Sequence, residues 1–295
     1  MAVNAGPVVQ RLSRFSLTTA DAEQLAAFYV HAFGSHRLAT EYISGPAFET
    51  LMSVKGGALR ITLSLGEQVI ELLQFDQKGM PYPDNGSASD LIFQHFAIVV
   101  RDMAEAFRRL LDLQGWTAIS RGGPQRLPVS SGGVTAFKFR DPEGHPLEFL
   151  SFPKGAMPPH WREMLTDEVC LGIDHSAISV SDTARSISFY EELGFRVSSQ
   201  SSNHGKEQEQ LDDVLKAKVK VTTLLPPRPS PHLELLCYRG TRLGRESPRS
   251  NADIATTRLV LETIKHAGSY FVVDPDGHHL VIEGPASRKK DLEGG

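Results

Sequence analysis

Histidine and glutamate side chains recur at matching places along this chain, and both can ligate a divalent cation or move a proton. The histidines lie in a repeated strand, Gln-His-Phe-Ala-Ile-Val-Val-Arg-Asp from Gln94 to Asp102 and Asp-His-Ser-Ala-Ile-Ser-Val-Ser-Asp from Asp174 to Asp182. Apolar residues alternate in each copy. Phe96, Ile98 and Val100 share one face and His95, Ala97 and Val99 the other, while Ile178 and Val180 oppose His175, Ala177 and Ser179. Both imidazoles therefore leave the more apolar face. The glutamates sit in Val69-Ile-Glu71-Leu-Leu, Pro146-Leu-Glu148-Phe-Leu and His232-Leu-Glu234-Leu-Leu. A first-row divalent ion held by imidazole and carboxylate, with positions left open, can polarise two neighbouring oxygens of a ligand, stabilise an enolate or bind dioxygen.

The elements that position these residues also repeat. An Asp follows each histidine by seven residues and opens a helical pattern, where its carboxylate can accept the orphan N–H groups of the first turn. A further copy begins at Arg14-Phe-Ser-Leu-Thr-Thr-Ala-Asp21, with Arg14 at the histidine position, and runs through Phe28-Tyr29 to Gly34. Phe189-Tyr190 and Gly194 follow Asp182 in the same way, and Gly115 ends the helix that Asp102 opens. Tight turns, Asp141-Pro-Glu-Gly144 and Asp274-Pro-Asp-Gly277, precede the last strands of two copies. The unit is βαβββ, used four times in an α+β chain. The fourth copy is truncated, because only Thr263 to Gly268 separates its strand Thr256 to Glu262 from Ser269 to Val273. Stretches rich in Gly, Pro and Ser at 76–90, 151–171 and 238–251 separate the copies. The expected organisation is a paired-module domain over 8–152, a linker over 153–170, a second paired-module domain over 171–285, and a charged, poorly ordered tail over 286–295.

Composition narrows the function classes. With 295 residues and 40% hydrophobic content the chain can bury sizeable cores. Net charge is −4 and the signs are interspersed, so neither nucleic acid nor an anionic membrane is an expected partner. Met1 to Gln10 lacks the pattern of a signal peptide and no stretch approaches a membrane span, so a cytoplasmic location is expected. Cys170 and Cys237, among apolar residues, read as buried, inert thiols.

With the repeat in view, the chain resembles the vicinal oxygen chelate superfamily, which includes glyoxalase I, extradiol dioxygenases and bleomycin resistance proteins. The resemblance spans nearly the whole chain. It implies modules paired so that their sheets curl around a cup, with metal ligands from the first and last strands of each module. On that resemblance one pair offers Arg14, Glu71, His95 and Glu148, and the other His175, Glu234, Arg258 and Glu283. The implied metal set is Glu71, His95 and Glu148, with His175, Glu234 and Glu283 in the second cup; the implied ion is Fe, Mn, Ni or Zn, and Glu71 or Glu148 is the implied proton acceptor. The implied function is a metal-dependent lyase, isomerase or dioxygenase acting on a small molecule with vicinal oxygens, and a homodimer is compatible with it.

Arg14 departs from this pattern, since a guanidinium cannot ligate a cation. Ion-paired with Glu71 and Glu148 it would fill the cup with no metal, which describes the alternative: a metal-free protein of the bleomycin resistance type that binds or sequesters a small molecule. In the fourth module Val281 has the register of Glu148, and Glu283 lies two residues further along the same face. His175 and Glu234 also read as a hydrogen-bonded pair in a structural domain. Neither expected cup has two first-strand histidines, which counts against ring-cleaving dioxygenase chemistry. His145, His278 and His279 follow the turns and read as exposed, while Phe28-Tyr29 and Phe189-Tyr190 read as core. The loop Ser120 to Val134 carries Arg121, Gln125 and Arg126, which could close over an anionic or oxygen-rich ligand; a solvated connection is the alternative.

Overall fold

The computed structural model describes residues 9–240, 250–264 and 268–285, so the expected tail over 286–295 lies outside the described residues. The first module comprises β1 (Val9–Thr18), α1 (Ala22–Phe33), β2 (His36–Ile43), α2 (Pro46–Met52), β3 (Ala58–Leu65) and β4 (Gln68–Phe75). The second comprises β5 (Gln94–Val100), α3 (Met103–Leu111), β6 (Thr117–Ala118), β7 (Gln125–Arg126), β8 (Thr135–Arg140) and β9 (Pro146–Ser151). After a connection containing α4 (Pro159–Arg162), the third runs through β10 (Cys170–Ser179), α5 (Thr183–Glu192), β11 (Arg196–His204), α6 (Lys206–Asp212), β12 (Lys218–Leu225) and β13 (His232–Tyr238). The fourth has β14 (Thr257–Thr263), β15 (Ser269–Val273) and β16 (His279–Glu283), with no helix among its described residues.

The aspartates cap as their positions require. Oδ1 of Asp21 accepts from the Gln24 N–H at 3.0 Å, and Asp102 and Asp182 each accept from two N–H groups of α3 and α5. Gly34, at φ 71°, closes α1 by donating to the Val30 carbonyl.

Within each module the last strand lies parallel to the first, pairing Ser16 with Glu71, Ala97 with Glu148, Ala177 with Glu234 and Val260 with Val281. The free edge of each first strand then meets another module. β1 pairs antiparallel with β14, and β5 with β10. Modules one and four thus share a seven-stranded sheet, and modules two and three a nine-stranded sheet. This corrects the expectation that one would pair with two and three with four. Two cups formed by paired modules do result, but each takes one module from either half of the chain.

The two sheets are joined to each other on their opposite face. Phe15 of β1 packs on Phe96 of β5 with ring centroids 5.2 Å apart, and Phe33 of α1 meets Phe149 of β9 at 5.8 Å, within a cluster that draws on both sheets and on α1, α3 and α5. Each fully buried Phe contributes about 2–3 kcal/mol, so the shared core binds the sheets strongly. Tyr29 and Tyr190, both 0% exposed, belong to this core as expected. Tyr29 donates its hydroxyl to Asp141 Oδ2 at 3.1 Å; that oxygen also meets His145 Nδ1 at 2.8 Å, and His145 Nε2 meets the Thr18 carbonyl at 2.9 Å. Module three repeats the arrangement with module four: Tyr190 donates to Asp274 Oδ2 at 3.1 Å, and His278 Nε2 meets the Ser179 carbonyl at 2.9 Å. Instead of being exposed, His145, His278 and His279 are 1%, 2% and 5% exposed, because the hairpin turns are tucked against the neighbouring module. Cys170 is buried, whereas Cys237 is only half-buried.

Candidate metal centre

The nine-stranded sheet curls around a cavity of about 500 Å³. Strand alternation decides what faces it. Phe96, Ile98, Phe137, Phe139, Leu147, Phe149, Leu233 and Leu235 go to the core, which leaves His95, Lys138, Glu148 and Glu234 on the cavity side. His175 joins them from β10, whose residue Ala177 is the register partner of His95. His95, Glu148 and His175 each offer a ligand atom within 4.8 Å of the others. Glu234 Oε2 lies 3.6 Å from His175 Nε2. These four supply two imidazoles and two carboxylates, one of each from either half of the chain, and His232 and Asp174 line the cavity beside them, grouped with His175 as a second candidate ligand set.

His95 is 2% exposed and neither of its ring nitrogens has a hydrogen-bond partner among the described residues. Its Nε2 is 3.0 Å from Glu148 Oε2 but not in line for a hydrogen bond. A buried nitrogen left without an acceptor or donor is costly, and a cation bound between imidazole and carboxylate would remove that cost. Burial, with the Lys138 charge, holds His95 below the usual imidazole range, so it is neutral and able to ligate near pH 7. Burial pushes Glu148 up, but Lys138 and His95 outweigh it and hold the carboxylate at about 2. For Glu234, burial is likewise outweighed by His175 and His232, and its pKa is about 2. Both carboxylates are ionised. Two imidazoles, His175 once it has given up a proton, form with the two carboxylates a donor set that fits a first-row divalent ion.

Groups behind the floor orient these side chains. His175 Nδ1 donates to Asp174 Oδ2 at 3.0 Å, leaving Nε2 directed to the cavity, and Trp161 Nε1 donates to Asp174 Oδ1 at 3.2 Å. Trp161 comes from α4 and is 2% exposed, so the connection between the halves supports the site. Gly172 permits that approach: a Cβ there would come within 2.2 Å of Gln68 Oε1 and 2.9 Å of the Trp161 ring. Burial alone would lower His175; Glu234, Asp174 and Glu148 outweigh it and raise the pKa to about 9. Lys138, 4% exposed, donates to Asp212 Oδ1 at 2.7 Å and stands 3.7 Å from Glu148, while Tyr238 donates to Asp212 Oδ2 at 2.9 Å.

The family model described as Glyoxalase/Bleomycin resistance protein/Dioxygenase superfamily matches residues 11–149 and 172–282, which is most of the chain. The chain belongs to this superfamily. Among solved structures, it is similar to a single-residue variant of glyoxalase I from Zea mays, at 18% identity and a TM-score of 0.61, covering 94% of each chain. Glyoxalase I from Zea mays itself aligns at 18% identity and a TM-score of 0.56, covering 92% of each chain. At such identities the likeness speaks for the fold. The comparison with curated proteins finds no match.

The second cup of this superfamily member is of another kind. In the seven-stranded sheet the strand register sets Arg14 where the other cup has His175, Glu71 where it has Glu234, Arg258 for His95 and Val281 for Glu148. Arg14 donates to Glu283 with two nitrogens, at 2.7 and 2.5 Å, and its Nε lies 2.9 Å from Glu71 Oε1. Arg60 donates to the same Glu71 oxygen at 3.2 Å. Arg258, 0% exposed, is held by Ser16, Thr18 and Asn251. The expected set of Glu71 with His95 and Glu148 is therefore corrected: Arg14 and Glu71 line one cup, His95 and Glu148 the other. Glu283 likewise joins Arg14 and not His175 and Glu234. Because modules two and three pair, the expectation that no cup holds two first-strand histidines is overturned as well.

The loop Ser120 to Val134 does reach the metal-type cup, but through Leu127, Ser130, Ser131, Gly132 and Val134. Arg121 turns to Asp213 at 2.6 Å, Gln125 donates to the Arg121 and Gly123 carbonyls, and Arg126 is exposed in β7; none is among the cavity-lining residues. His232, Asp174 and Lys138 went unassigned in the sequence. His232 lay two residues before Glu234 on the same strand face, a signal that strand alternation could have used.

Proposed function

We propose that this protein is a metal-dependent enzyme of the superfamily, with a divalent ion held by His95, Glu148, His175 and Glu234, acting on a small molecule with adjacent oxygens. The observation that carries the reading is the convergence of His95, Glu148 and His175 within 4.8 Å, with both His95 nitrogens lacking a hydrogen-bond partner among the described residues, at the floor of a cavity of about 500 Å³. When bound, such an ion supplies Lewis-acid polarisation of the ligand oxygens. The chain's own residues do the rest. Glu148 stands 3.7 Å from the Lys138 ammonium, whereas the Glu234 side chain is more exposed, 21% against 9%. Glu234 is thus the carboxylate better placed to take a proton from a substrate carbon or hydroxyl. Leu127, Val134, Leu150 and Phe152 exclude water on one wall, and Ser199, Ser201 and Thr223 offer hydroxyls on another. The class of reaction this supports is proton transfer next to a metal-polarised oxygen, as in an isomerase or lyase; the two histidines keep a dioxygenase within the same reading.

Calorimetric titration of Mn(II), Fe(II), Ni(II) and Zn(II) into the wild-type protein, His175→Ala and Glu71→Gln tests this. One-to-one binding to wild type and Glu71→Gln, lost in His175→Ala, is expected. Binding lost in Glu71→Gln but kept in His175→Ala would overturn the assignment.

A further inference from the structure

The cup of the seven-stranded sheet encloses about 410 Å³, a volume typical of small-molecule sites. Its charges are already matched against one another. Arg14 is ion-paired with Glu283 and Glu71, Arg60 with Glu41 and Glu71, and Arg258 is hydrogen-bonded to neutral oxygens of Ser16, Thr18 and Asn251. On the cup wall the two guanidinium groups of Arg14 and Arg60 thus balance the two carboxylates of Glu71 and Glu283. An ionic ligand would have to break one of these pairs and strand its partner, which is unfavourable away from bulk water. A divalent cation is opposed further by Arg14 and Arg258, which stand where the other cup has imidazoles. The remaining wall is apolar: Phe48 and Leu51 from α2 face Leu73, Val260 and Val281 of the sheet, with Ser44 and Ser269 at the mouth.

We infer that this second cup is a separate, metal-free binding site for an uncharged, largely apolar small molecule of aromatic-ring size. The apolar walls take the ring, and the serines at the mouth take one or two neutral polar atoms. The site does not depend on the metal-centre reading, since none of the described residues lines both cups.

The test is ligand-detected NMR and calorimetry with indole, benzoate and benzylamine as neutral, anionic and cationic probes of similar size. Wild type is expected to bind indole at least tenfold more tightly than either ion. Ala47→Trp, at an exposed position of α2 that lines the cup, should abolish indole binding while leaving divalent-metal titrations unchanged. Glu283→Gln, which releases Arg14 from its bidentate partner, should raise benzoate affinity at least tenfold. Indole binding that survives Ala47→Trp, or benzoate favoured by the wild-type protein, would overturn the inference. Loss of metal binding in His175→Ala bears on the other cup alone, so the two readings fail independently.

Discussion

Replacing Tyr29 by Phe removes one hydroxyl from a buried carboxylate and nothing else. Asp141 keeps His145 Nδ1 at 2.8 Å and the backbone N–H groups of Glu143 and His145 at 2.9 and 3.0 Å, so it is not orphaned. A hydrogen bond to a charged group contributes about 1.5–3 kcal/mol, and a 3.1 Å contact with those partners retained belongs at the low end, ~1.5 kcal/mol. Unfolding in urea should show that loss in ΔG, and calorimetry a fall in Tm of about 3 °C. Tyr190→Phe, with the same 3.1 Å contact to Asp274, should lose the same amount, and the double variant the sum to within about 0.5 kcal/mol. The pH profile supplies a second reading. Burial lowers His145, but Asp141 outweighs it and raises the pKa. The stability this contributes is fully present below the unfolded value of about 6.5 and is lost as pH rises through the folded-state pKa. Asp141→Asn should abolish that alkaline decline. If Tyr29→Phe is neutral, or if its cost differs from that of Tyr190→Phe by more than about 1 kcal/mol, the two networks are not equivalent supports and the reasoning fails.

Three further outcomes concern the metal centre. His175, raised to about 9, is protonated at pH 7 and must lose that proton to ligate, so calorimetry in buffers of different ionisation enthalpy should detect release of about one proton, and apparent affinity should rise about tenfold per pH unit from 7 towards 9. Asp174→Asn weakens the group that orients His175 and should cost 10–100-fold, at the order-of-magnitude level, in metal affinity, with little change in the fold by circular dichroism. Lys138→Met takes a buried cation from between Asp212 and Glu148; the metal-free protein should lose about 3 kcal/mol in urea unfolding while metal affinity increases, and a fall in affinity would refute a repulsive role for Lys138.

The repeat was legible because it is written locally: alternation in β5 and β10, an Asp cap seven residues after each histidine, and one Glu in the last strand. Those same signals set Arg14, Arg258 and Val281 at ligand-type positions. Which module pairs with which is not written locally. The outer edge of β1 offers backbone N–H and C=O groups that would serve β5 as well as β14; β5 instead lies across the core, where Phe96 packs on Phe15. The buried histidines had a visible sign in the shared Asp-Pro-x-Gly-His of 141–145 and 274–278, but burial arises from a tyrosine in another module's helix. Lys138 and Asp174 gain their roles only once Asp212 and Trp161 stand beside them.

The crossed pairing of modules changes what a single substitution can reach. Were the two halves separate, identical polypeptides associating in the same way, every residue would appear in both cups, and exchanging a histidine for an arginine would spoil both at once. Joined through residues 153–169, each cup instead draws on its own strands, His95 and His175 in one, Arg14 and Arg258 in the other. Covalent fusion thereby gives the molecule two chambers that can be altered independently, while the common core keeps their scaffolds locked together. A ligand in one chamber and an ion in the other would share the stability of a single folding unit, so occupation of either should protect the whole chain from thermal unfolding.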